Sequence, residues 1–315
     1  MDLRQLAALV AIADHGSFSA AARALFTVQS NVSTHIARLE RELGTTLVER
    51  QSGTLTDAGV AVVERARRVL RELDDIVADV SAESDEITGV SRLGVIGTTA
   101  RWLVPQLLAA LAAAHPRARA VIHDGSTSTL IPSVVGRALD AAVVHLPVED
   151  PELEVEPLFA EDLVLLVHRR HPLADREEVL LPELGDHPLL LPAAGTALRR
   201  AIDRAAANQG VTLSAHAEID GVRLLTSLAF DGFGPSIVPA TAIPGWLSGD
   251  FRRIAVPGLP RRVVGWVQRR RPRPNAPTRA LLELTRKLIG DVGSLQPGVH
   301  TDGETIPLRS TERAR

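Results

Sequence analysis

The chain has 315 residues, 45% hydrophobic and 23% charged, with a formal net charge of −3; that is ordinary globular composition, with length for two or three domains. It contains no Cys and no Tyr, which excludes disulfides, thiolate nucleophiles, Cys-type zinc sites and acid catalysis by a phenol. No apolar run reaches the roughly 18 residues that span a bilayer. The opening MDLRQLAALV lacks the positive start of a signal peptide, so a cytoplasmic protein with no membrane partner is expected.

Leu3, Leu6, Val10 and Ala13 recur at spacings of three and four and predict an amphipathic first helix. His15-Gly16 ends it, and Ser17 sits where a short, Ala-rich second helix over residues 19–25 would be capped. A third helix is predicted from about Val28 to Leu43, with Thr27 as its cap and Val32, Ile36, Leu39 and Leu43 facing inward. Its opposite face carries Gln29, Ser30, Asn31, Ser33, Thr34 and Arg38. Such donors and acceptors at a helix N-terminus suit base edges in the major groove; a solvated polar face is the competing reading. Two β-prone runs then flank Gln51-Ser52-Gly53 and predict a small hairpin, the wing of a winged helix-turn-helix. Arg50 in this wing completes the candidate DNA-binding set.

Val62, Ala66, Val69, Leu73, Ile76 and Val80 are spaced 4, 3, 4, 3, 4, a heptad seam. A helix that links two domains and carries such a seam points to a symmetric dimer through Val62, Val69, Leu73, Ile76 and Val80; an intramolecular core helix is the alternative. The polar stretch 81–91 reads as a hinge.

From Arg92 onward strand-like and helix-like segments alternate, implying parallel sheets covered by helices. Predicted strands are 92–96, 118–123, 141–145, 163–168, 188–191, 215–219, 236–238 and 263–268. Predicted helices are 102–114, 130–138, 197–209, 222–230 and 277–289. Two α/β lobes joined by two crossing strands would leave a cleft, and ligands bind such sheets beyond the carboxyl ends of strands. The strand-to-helix joints there carry Thr98-Thr99, Ser126-Thr127-Ser128 and Gly195-Thr196. Each could hold an anion or serve as an ordinary helix cap. Residues 291–315 lack periodicity and read as a disordered tail. The arginine run 269–273 reads as a solvated turn, with DNA contact as the alternative.

These residues resemble a family. Gly16-Ser17-Phe18-Ser19-x-Ala21-Ala22-x-x-Leu25, Gln29-Ser30-x-Val32-Ser33-x-x-Ile36-x-x-Leu39-Glu40-x-x-Leu43-Gly44, Arg50 and Leu55-Thr56-x-x-Gly59 are similar to the N-terminal signature of LysR-type transcriptional regulators. Leu139-Asp140-Ala141-Ala142, His171-Pro172-Leu173-Ala174 and Gly232-x-Gly234-x-x-Ile237-Val238-Pro239 resemble later landmarks of that family. The sequence departs from the pattern at Val28, Val48 and Pro235 and has a short wing without a basic tip. The resemblance implies an α/β architecture: an N-terminal winged helix-turn-helix (1–59), a linker and dimerisation helix (60–88) and a two-lobed, periplasmic-binding-protein-like α/β effector domain (89–290). Lobe 1 would comprise about 92–162 and 269–290, and lobe 2 about 163–268.

It further implies homodimers or homotetramers on double-stranded promoter DNA, with a small organic effector in the cleft; the joints named above allow that effector to be an anion, and RNA polymerase is a candidate further partner. DNA contact then falls to Gln29, Ser30, Ser33 and Thr34, and cleft lining to Thr98, Thr99, Ser126, Thr127 and Thr196, with Gly195 beside them. The rivals are a solute-binding module without DNA binding, and an enzyme. Against the enzyme, G-x-S-x-G, P-loop, G-x-G-x-x-G and H-E-x-x-H motifs are all missing, and the ten His residues are scattered; no cofactor and no metal are expected.

Overall fold

The computed structural model describes residues 1–82 and 87–301 and divides into two compact units, Met1–Gly89 and Val90 onward. In the first, α1 (Leu3–His15) begins in a capping box. Gln5 N–H donates to the Asp2 carboxylate (2.9 Å) and Asp2 N–H donates to Gln5 Oε1 (3.0 Å). The helix ends at Gly16, whose φ of +72° suits a residue without Cβ. Ser17 caps α2 (Phe18–Ala24), and α3 (Gln29–Leu43) follows.

Two details differ from expectation. The buried stripe of α1 is Leu6, Leu9 and Ile12 rather than Leu3, Leu6, Val10 and Ala13; Leu3 is exposed. The helix is apolar over most of its circumference, so packing against its neighbours sets its phase, not pattern. The cap of α3 is Val28, without a side-chain bond, because Thr27 Oγ1 instead accepts from Asn31 Nδ2 (3.0 Å). At the far end of this helix Leu43 is exposed, not inward-facing.

The wing is a single antiparallel bridge, Val48 to Leu55. Behind it α4 (Asp57–Ala82) starts tight against the backbone: a Cβ on Gly59 would lie 2.1 Å from the Leu47 carbonyl oxygen. Val63 and Ala66 of α4 enter the core that unites Leu9, Ile12, Ala21, Val32, Ile36 and Leu47, and Val62 lies half-buried beside it. Further along, Val69, Leu73, Ile76 and Val80 are exposed. The predicted hinge includes residues 83–86, which lie outside the described residues.

The second unit holds two sheets. The first is built from β1 (Gly89–Ile96), β2 (Ala118–Gly125), β3 (Ala141–His145), β4 (Leu153–Glu161), β10 (Arg262–Arg269) and β11 (Val299–His300), in the order β11-β4-β10-β3-β1-β2. The second is built from β5 (Leu163–His168), β6 (Leu189–Pro192), β7 (Ala215–Ile219), β8 (Ser236–Pro239) and β9 (Phe251–Ala255), in the order β7-β6-β8-β5-β9. Both sheets are mixed, not parallel. β1 runs parallel to β3 and β6 parallel to β7 and β8, but β10 is antiparallel to β3 and β4, and β5 antiparallel to β8 and β9.

The antiparallel pairs arise where the chain crosses between lobes, at β4–β5 and at β9–β10. They place β10 in the first sheet, although the sequence reading closed lobe 2 with it. Helices α5 (Gly97–Ala114), α6 (Thr127–Val135) and α9 (Ala276–Val292) accompany the first sheet; α7 (Ala197–Asn208) and α8 (Val222–Phe230) accompany the second. The first core centres on Trp102, Phe159 and Trp266, with Trp102 edge-on to Phe159 at 5.4 Å. Lobe 2 buries Leu165, Leu191 and Ile202 on one face of its sheet and Leu166, Leu225 and Val238 on the other.

The expected disordered tail is corrected as far as residue 301. Gln296, 3% exposed, donates from Nε2 to the Ala240 and Ile243 carbonyls (3.1 and 3.0 Å) and accepts from Gly245 N–H (2.8 Å). β11 then pairs with β4. These contacts are long-range and leave no periodic trace; residues 302–315 lie outside the described residues. In the arginine run, Arg269 donates to the carbonyls of Val134 (2.7 Å) and Leu139 (2.9 Å), and Arg270 to that of Leu153 (2.8 Å). These two arginines bind their own unit's backbone.

Candidate functional site

The first unit exposes a polar helix end at the start of α3. Gln29, Ser30, Asn31, Thr34 and Arg38 are exposed along α3, and Ser33 is half-buried. Several of these side chains are already oriented. Ser19 Oγ donates to Gln29 Oε1 (3.0 Å), Asn31 donates to Thr27, and Thr34 Oγ1 donates to the Ser30 carbonyl (2.8 Å). No side chain caps α3, and the Asn31 N–H turns back to the Val28 carbonyl (3.1 Å).

Arg50 is held in place. Its guanidinium donates to Ser33 Oγ (3.0 Å) and Glu40 Oε2 (2.8 Å), and it lies 5.3 Å from the centre of the Phe18 ring. Glu40 Oε1 accepts from the amides of Leu47 and Val48 (2.9 and 3.2 Å). Glu40 therefore binds the base of the wing to α3. Sequence reasoning missed this hub, although Glu40 stands inside the quoted signature.

The second unit contains a cavity of about 560 Å³ lined by α5, the end of β2 and α8, within the size range of small-ligand sites. Its apolar wall is Ala100, Val104, Pro105, Ile122 and Ala242, and its polar groups are Thr98, Arg101, Asp124, Arg223, Thr226 and Ser227. Arg223 of lobe 2 pairs with Asp124 of lobe 1 at 2.5 Å. Arg101 has no carboxylate partner among the described residues; its guanidinium lies 5.9 Å from the Phe230 ring centre and 5.8 Å from that of Trp246. Thr226 and Ser227 donate back to α8 carbonyls.

A buried polar cluster adjoins Thr98. Arg262 Nη2 donates to Thr98 Oγ1 (2.9 Å), and Arg262 pairs with fully buried Glu161 at 2.5 Å. The other Glu161 oxygen accepts from Thr241 N–H (2.9 Å). Burial, and then the Arg262 charge, push His145 down to about 4, so it is neutral at neutral pH.

Of the predicted effector residues, Thr98 lines the cavity. Thr99 lies next to it in α5, buried, with no hydrogen-bond partner for Oγ1. Ser126 and Thr196 are the N-caps of α6 and α7, Thr127 Oγ1 accepts from His145 N–H (3.2 Å), and Gly195 takes a φ of +81°. Sequence reasoning missed Arg101, Asp124, Arg223 and Thr226. Arg101 is two residues beyond Thr99, the one signal that could have found it. Helix α5 also begins at Gly97, not at Trp102 as expected, which puts Thr98 and Thr99 in its first turn. Among the described residues no helix is long and apolar enough to cross a membrane, and no group of metal-ligating side chains is assembled.

Residues 3–60 match the family described as bacterial regulatory helix-turn-helix protein, lysR family, and residues 84–289 match the LysR substrate binding domain. The chain is 30% identical over 294 residues to the DNA-binding transcriptional dual regulator OxyR of Escherichia coli K12, covering 92% of this chain and 95% of that protein. It is 35% identical over 246 residues to a probable hydrogen peroxide-inducible genes activator of Streptomyces viridosporus (76% and 78% covered). Its fold is similar to full-length CbnR complexed with its target DNA, with a TM-score of 0.71 at 24% identity over 91% of this chain and 99% of that one. With a helix-turn-helix head and a two-lobed α/β effector domain in one chain, the protein belongs to the LysR family of DNA-binding transcriptional regulators.

Proposed function

We propose that the protein is a homodimeric cytoplasmic regulator that reads promoter DNA through α3 and responds to a small organic anion bound non-covalently between its lobes. The DNA contacts fall to Gln29, Ser30, Asn31, Ser33, Thr34 and Arg38, with Arg50 fixing the wing, and RNA polymerase is the downstream partner. Effector contacts fall to Thr98, joined by Arg101 and Arg223, with Thr99, Ser126, Thr127, Gly195 and Thr196 shaping the helix starts around them. The observation that carries the ligand class is the pair of guanidinium groups facing one cavity against a single carboxylate, Asp124. The lining bears net positive charge beside an apolar wall, which suits a monoanion with an apolar body.

Relatives are named for induction by hydrogen peroxide, but thiol oxidation is closed to this chain. It has no Cys, and its one Met is Met1; reversible peroxide chemistry in proteins runs chiefly through sulfur. The test is calorimetric titration of the full-length protein with small carboxylates and their neutral amides, followed by DNA binding with and without hydrogen peroxide. At least one carboxylate should bind where its amide does not, and Arg101→Ala should weaken it by roughly ten- to hundred-fold, the range for a charge-assisted contact. Peroxide should leave DNA affinity unchanged. Equal binding of acid and amide, or a peroxide-dependent change in DNA affinity, contradicts the reading.

A further inference from the structure

We infer that Phe26, in the turn between α2 and α3, is a specificity-determining residue that packs on a thymine methyl group at the edge of the DNA site. The inference rests on the DNA-reading function of the head. The turn is a Schellman motif: Thr27 N–H donates to the Ala22 carbonyl (2.9 Å) and Phe26 N–H to the Arg23 carbonyl (3.2 Å). Phe26 occupies its left-handed position, with a φ of +53°. That position ordinarily takes Gly or Asn, because a side chain there crowds the backbone.

Here it carries a large aromatic ring that is 97% exposed. The head therefore bears an unfavourable backbone conformation and an apolar ring left almost wholly in solvent among the described residues. A bulky residue held in this way calls for a functional explanation. Its flanks are apolar and exposed as well, with Leu25 at 38% and Val28 at 59%.

The location selects the occupant. Phe26 is three residues before Gln29, the first residue of α3, so its Cα lies within about 11 Å of that of Gln29. The ring thus borders the exposed polar helix end that faces base edges. In the major groove the one apolar group a base offers is the thymine methyl, and aromatic or aliphatic side chains are its usual contacts. The head also has five Arg against six Asp and Glu through Gly59, so it has little surplus charge to bind phosphates, and apolar contact carries correspondingly more of the recognition.

The test uses the full-length protein and a duplex isolated by repeated selection from a random-sequence pool. Phe26→Asn should leave the thermal transition of the head unchanged or higher, because Asn tolerates the left-handed turn, while DNA affinity falls roughly five- to twenty-fold, the lower part of the range for one mismatched base pair. Replacing thymines one at a time by deoxyuridine, which lacks the methyl group, should weaken the unaltered protein at one position per half-site. The same replacements should leave Phe26→Asn unaffected. The proposal is overturned if Phe26→Asn binds as tightly as the unaltered protein. It is equally overturned if every deoxyuridine substitution is neutral, which would assign the ring to the sugar-phosphate backbone. Failure to enrich any duplex sinks the DNA-reading function itself, a distinct result.

Discussion

Replacing Ile76 by aspartate is expected to convert the protein to a monomer and to weaken its binding to DNA by roughly 100-fold or more. The first half of α4 packs on the helix-turn-helix core through Val63 and Ala66, whereas Val69, Leu73, Ile76 and Val80 remain exposed, between 36% and 65%. They continue the same heptad spacing, so they form one apolar seam along the helix. Symmetric pairing of two such helices buries both copies of each residue, and each buried side chain contributes about 1.5–3 kcal/mol.

A carboxylate at position 76 would be desolvated twice in the dimer, a cost that dissociation avoids. The monomer would then present one reading head, and the second half-site would no longer bind at the high effective concentration that a dimer supplies. Sedimentation and DNA titration of Ile76→Asp check both effects. A variant that stays dimeric removes this seam from the account. Val62, grouped with the seam on spacing alone, lies half-buried against the head's own core, so Val62→Asp should chiefly unfold the head.

A large effect on stability is expected at the crossing between the lobes. Glu161→Gln should lower the unfolding transition of the effector domain by roughly 6–20 °C. Glu161 ends β4 in the first sheet, and its two oxygens serve both lobes: Arg262 at the start of β10 and the Thr241 amide beyond β8. The carboxylate is fully buried and the guanidinium side chain 10% exposed, so removing the negative charge leaves a buried cation unpaired. Such losses cost about 3–5 kcal/mol, most of it the desolvation of the abandoned partner rather than the strength of the pair. The double variant Glu161→Gln, Arg262→Gln should therefore recover at least half of the lost stability. Additive losses in the double variant would contradict this account.

The elements that were legible in the sequence share a physical character. Ala141–His145, Leu163–His168, Ala215–Ile219 and Val222–Phe230 form where they were read, because each combines a local pattern with breakers at its ends. β4 was not legible: it contains Glu154, Glu156 and Pro157 and is held by β10 on one side and β11 on the other. β9 likewise carries Arg252 and Arg253 and depends on β5. Strands specified by distant partners leave little signal in their own residues.

The same distinction separates the two sites. The polar face of α3 follows from helical spacing, so its residues could be named directly. The cavity joins residues 97–105, 122–124, 223–227 and 242, and nothing local marks Arg101 and Arg223 as neighbours across it. Hydroxyls at strand-to-helix joints were the only local cue, and at Ser126 and Thr196 that cue marks helix caps.

Selection of duplexes from a random-sequence pool by the full-length protein tests the central claim, a dimeric reader of specific DNA, most directly. The account predicts enrichment of an inverted repeat whose half-sites are separated by one helical turn of about 10–10.5 base pairs, or a multiple of it, and loss of that enrichment for Gln29→Ala. A pool that remains random after selection, or that yields a single half-site without symmetry, contradicts it.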